Sequence, residues 1–70
     1  MPRVEAAFLR AAGVHDSAAA VHDRAAEFFD ALGDPELACR ERELARADRE
    51  AATADRERAR LHRECVASRG

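Results

Sequence analysis

The chain has 70 residues, 47% of them hydrophobic but only 4% aromatic, so its apolar share is mostly alanine. Charged residues make up 37%, yet 12 arginines, with no lysine beside them, stand against 14 acids and leave a net charge of −2. Those proportions exclude a dedicated nucleic-acid binder, which needs a basic excess or patch. There is no run of about 18 apolar residues to span a bilayer. Arg3 and Glu5 flank too short an apolar stretch for a signal peptide, so a soluble, cytoplasmic protein is expected.

From about residue 2 to residue 32 the chain repeats every seven residues. Phe8, His15, His22 and Phe29 share one row; Val4, Ala11, Ala18, Ala25 and Leu32 share a second; Ala7, Val14, Val21 and Phe28 share a third. The phase passes unbroken through Gly13, on the outermost position of the wheel, which favours one long helix. The rival reading breaks at Gly13 and restarts with Asp16 or Ser17 as N-cap.

Leu32-Gly33-Asp34-Pro35-Glu36 is the strongest local signal. Gly33 suits the left-handed residue after a helix, Asp34 an N-cap, and Pro35 the first helical position, where the missing N–H costs nothing. A turn at residues 33–34 is so short that the two helices must pack antiparallel.

From about residue 35 to residue 68 the text reads ELACRER, ELARADR, EAATADR, ERARLHR and then ECVASRG. Five units of seven indicate one long supercoiled helix. The Leu37 row, the Ala38 row and Ala47, Ala54 and Leu61 form its apolar arc. The expected fold is therefore all-α: a single helical-hairpin domain over residues 1–70. Two helices leave one flank of the apolar stripe uncovered, and a homodimer forming a four-helix bundle is the economical cover, with docking on another protein's helices as the alternative. The interface is assigned to Val4, Phe8, Val14, Val21, Phe28, Phe29, Leu32, Leu37, Leu44 and Leu61.

Ala26, Phe29, Gly33-Asp34, Ala38 and Ala45 together resemble one tetratricopeptide unit. That motif needs about three copies to form a stable array. A single copy is read as helix–turn–helix grammar.

A polar seam runs through the expected core. Glu41, Asp48, Asp55 and His62 form a row inside the apolar arc of the second helix, and His15 and His22 share the stripe of Phe8 and Phe29. Antiparallel neighbours about a turn at 33–34 have numbers summing to about 67, which predicts His22 with Asp48 and His15 with Asp55. Buried polar groups are costly unless paired, so such a layer reads first as a register device. A carboxylate beside an imidazole favours its charged form, making the assembly sensitive to pH near neutrality.

The sharper reading is a metal-binding bundle using His15, His22, Asp48 and Asp55, with His62 and Cys65 as a further pair near the open end. His15 and His22 lie two turns, about 10 Å, apart and cannot share one ion. No Glu-x-x-His pair occurs, and no metal or other cofactor is assigned. Cys39 and Cys65, about 40 Å apart along one helix, cannot bridge each other. Cys39 is expected to pack as a small apolar group across from Phe28, and Cys65 to be the more reactive thiol.

The glutamate and arginine rows read as a solvated face with i, i+4 pairs Glu36 to Arg40, Arg46 to Glu50 and Arg60 to Glu64. No glycine-rich phosphate loop or nucleophile elbow occurs, and Ser17, Thr53 and Ser68 lack a base at triad-like positions, so no catalytic residue is assigned. The expected function is a small non-catalytic interaction or self-assembly module, with a metal-binding bundle or a regulatory subunit docking on a partner's helices as alternatives.

Overall fold

Alanine, arginine, glutamate and leucine, which lose little freedom in a helix, dominate the chain. It accordingly forms two helices. In a computed structural model, which describes residues 2–69, α1 spans Pro2–Ala31 and α2 spans Pro35–Arg69. No strand occurs among the described residues. α1 runs through Gly13 without a break, so the rival reading of a short extra helix is not realised.

The turn follows from its three residues. Gly33 takes φ 78°, its N–H donates to the Asp30 carbonyl at 3.0 Å, and the Asp34 N–H donates to the Phe29 carbonyl at 2.9 Å. These two bonds close the end of α1 in the Schellman pattern. Asp34 then caps α2: its Oδ1 accepts the Leu37 N–H at 3.1 Å. The antiparallel pair measures 57 × 14 × 9 Å.

The helices meet on alanine. Ala12, Ala19 and Ala26 of α1 and Ala38, Ala45, Ala52 and Ala59 of α2 are buried, each series spaced by seven. Among the described residues no large side chain is fully buried. A methyl at every seventh position lets the axes approach closely, and a leucine there would hold them apart. The α1 row facing α2 is thus the Ala12 row, one heptad position away from the expected Phe8 stripe. Phe8 and Phe29 are half-buried beside it.

That rotation decides where the large apolar residues go. The other eight assigned to the interface, Val4, Val14, Val21, Phe28, Leu32, Leu37, Leu44 and Leu61, are exposed, from 37% at Leu37 to 68% at Val14. They do not fill the space between the helices. Helical spacing puts Val4, Leu32, Leu37 and Leu44 on one broad side of the two-helix slab and Val14, Val21, Phe28 and Leu61 along the outer edges of that side. Phe28 and Phe29 meet edge to face at the turn end, their centroids 5.7 Å apart. The slab therefore has an apolar side and a charged side.

Candidate functional site

Two polar rows flank the alanine seam, and helix geometry puts them on opposite sides of it. Counting from Ala12, His15 lies three residues on and Asp16 four, so the histidine row borders one side and the aspartate row the other. Each row finds its complement on α2.

On the charged side Asp30, Asp23 and Asp16 accept hydrogen bonds from Arg42, Arg49 and Arg56. The three pairs form an inter-helix ladder in constant register. Hydrogen bonds from Arg56 and Arg49 hold the Asp16 and Asp23 carboxyls below the usual carboxylate range. The same contacts raise the guanidinium groups of all three arginines. Arg63, next in its row, meets Glu5 at 3.3 Å.

This ladder went unread in the sequence, where the arginines appear as a solvated face. Its signal is present all the same: Asp16, Asp23 and Asp30 also recur at seven, in opposite order to their partners. Of the three expected i, i+4 pairs, Arg60 with Glu64 forms, at 2.7 Å. Arg60 also donates to Glu57 at 2.9 Å, which lowers that carboxyl.

On the apolar side lies the seam. His15 donates from Nδ1 to Asp48 Oδ1 at 2.8 Å, and its Nε2 stands 3.9 Å from Asp55 Oδ2. His22 donates from Nδ1 to Glu41 Oε2 at 2.6 Å, and its Nε2 stands 3.6 Å from Asp48 Oδ2. Arg58 completes the line by donating to Asp55 Oδ1 at 2.9 Å. The expected pairs, His22 with Asp48 and His15 with Asp55, are thus the longer contacts. Each hydrogen bond goes to the acid one heptad nearer the turn.

The order along the groove is Glu41, His22, Asp48, His15, Asp55, Arg58. Every imidazole sits between two carboxylates. Phe29 and Phe8 continue the histidine row at either end, so an aromatic ring brackets the polar line on both sides. His62 shares the acid row but falls across from Phe8 in register, and its Nδ1 is buried without a hydrogen-bond partner.

Among the described residues no group of three or more His, Cys, Asp and Glu side chains is placed to hold a metal ion. Cys39 and Cys65 are free and exposed. Cys39 points its Sγ to Glu43 Oε1 at 3.9 Å, so it does not pack in the apolar layer as expected. Its row turns toward the charged side.

No known protein family, characterised protein or solved structure matches the chain. Among the described residues no helix is long and apolar enough to cross a membrane. The class that fold and site define is a two-helix antiparallel hairpin with an alanine seam, an open apolar side and a histidine and carboxylate line along its middle.

Proposed function

We propose that this chain is a small non-catalytic self-assembly module, in which two hairpins pack apolar side on apolar side to form a four-helix bundle. The observation that carries the reading is the sidedness of the exposed large residues. Eight of them, Leu32 at 64% and Leu44 at 44% among them, lie on one side or along its outer edges, while among the described residues the buried apolar side chains are all alanine. An apolar surface of this extent is a usual mark of an interface.

A second copy fits the dimensions. One side of a slab 57 Å long and 14 Å wide offers roughly 800 Å², close to the ~800 Å² that each partner contributes to a standard interface. Self-pairing would also place the Val4 and Leu44 rows in a core that a lone hairpin does not have. Free thiols at Cys39 and Cys65 agree with a reducing, cytoplasmic setting.

Sedimentation equilibrium of the whole chain tests the reading, with a mass of twice 7.7 kDa expected. Leu37→Glu and Leu44→Glu, on the apolar side, should give monomers that remain helical. Thr53→Glu, exposed on the charged side, should leave the dimer intact. A wild-type chain that stays monomeric, or a dimer indifferent to both glutamates, overturns the proposal and favours docking on another protein's helices.

A further inference from the structure

We infer that assembly through the apolar side is coupled to proton uptake by His15 and His22, an inference that rests on the dimer reading above. The argument begins with donors and acceptors. A carboxylate only accepts, and a neutral imidazole has one N–H and one lone pair. His15 and His22 both commit the N–H at Nδ1, to Asp48 and Glu41. Neutral rings would therefore aim the Nε2 lone pair at a second carboxylate, 3.9 Å away for His15 and 3.6 Å for His22. Two acceptors would face each other. With a proton on each Nε2, both contacts become attractive.

The charge count points the same way. The carboxylates of Glu41, Asp48 and Asp55 line the groove, and among the described residues Arg58 is the one guanidinium bonded into the line. Two negative charges remain while the imidazoles are neutral, and none when both carry a proton. The other charged groups nearest the rings on their own helix are Asp16 and Asp23, each already bound by Arg56 or Arg49. Arg40 lies on the outer edge of the apolar side, and His62 on the acid row one heptad past Asp55.

In the single hairpin the His15 side chain is 38% exposed and that of His22 29%, so water offsets much of the imbalance. A second copy laid over this side removes that water and sets one seam against another of the same sign. An unbalanced charge in such a layer is costly, and taking up protons is the usual relief. The bracket formed by Phe8 and Phe29 leaves no further charged residue in the histidine row to supply it.

The dimer should therefore tighten as pH falls and loosen as it rises. Each proton taken up on assembly lowers Kd tenfold per pH unit. Sedimentation equilibrium at fixed ionic strength, from about pH 8 to about pH 6 where imidazoles titrate, should show Kd falling at least tenfold per unit. His15→Gln with His22→Gln should flatten that dependence. Glu41→Gln with Asp48→Asn, which keeps both imidazoles but removes the charges that demand protons, should flatten it too. His62→Gln should leave it unchanged. Circular dichroism on every sample confirms that the hairpin itself is folded. A wild-type dimer with the same Kd throughout, or a slope that survives the double glutamine change, overturns the coupling and leaves the dimer standing. A monomer at every pH overturns both.

Discussion

The Arg63 guanidinium meets the Glu5 carboxylate at 3.3 Å, one helical turn before the position to which the ladder's register directs it. The three preceding arginines pair with Asp30, Asp23 and Asp16, so the fourth partner belongs at position 9. Leucine stands there, 48% exposed. Arg63 bends back to the nearest acid. The change Leu9→Asp should draw Arg63 to the new carboxylate and release Glu5. A double-mutant cycle on Glu5 and Arg63, read from urea unfolding, should give a coupling of a few tenths of a kcal/mol in the native chain. In the Leu9→Asp background it should vanish, and an undiminished coupling would refute the register argument.

The alanine seam sets how close the helices come, so its tolerance for bulk should be low. Ala45 is fully buried, whereas Ala47, two residues on, is exposed. Ala45→Leu should destabilise the hairpin by about 1 to 3 kcal/mol, the usual cost of overpacking. Ala47→Leu should cost little. Thermal unfolding of the two variants side by side decides the matter, and equal midpoints would show that the axes are not held by the seam.

What could be read in the sequence was whatever local chemistry or strict period fixes. Gly33, Asp34 and Pro35 each meet a separate backbone need, so the turn was legible to the residue. The heptads disclosed two helices and placed His15 and His22 opposite the row of Glu41, Asp48 and Asp55. The phase of α1 was less legible, because large residues normally mark the buried face. Here Ala12, Ala19 and Ala26 win by being small, which turns Phe8 and Val14 away from the partner helix by about 50° or more. The same turn brings Asp16, Asp23 and Asp30 to the edge of the contact, where they meet arginines that otherwise read as solvent-facing.

The two described glycines should respond to alanine with opposite signs. Gly13 sits in the middle of α1, with nothing within 4 Å of where a Cβ would stand. Gly13→Ala should stabilise by about 0.5 to 1 kcal/mol, since alanine loses less backbone freedom in a helix. Gly33 has equal room but φ 78°, so Gly33→Ala should destabilise by about 1 kcal/mol through strain alone. Urea midpoints compared with the parent chain check both signs. A gain at Gly33 would mean that the Schellman turn does not form as described.

The Asp–Arg ladder should reveal itself in acid. Hydrogen bonds from Arg56 and Arg49 hold the Asp16 and Asp23 carboxyls below their ordinary range. A group whose folded-state value is lowered contributes stability above its unfolded value, near 4 for aspartate, and loses that contribution as pH falls through the lowered folded value. The thermal midpoint should therefore drop as pH falls below about 4, beyond the range in which histidine titrates. Both carboxylates are more than a third exposed, so the drop should be a few degrees and should shrink in high salt. Asp16→Asn with Asp23→Asn should start from a slightly lower midpoint near neutral pH and lose less of it in acid. Parallel curves for the two chains would show that the ladder does not carry the acid sensitivity.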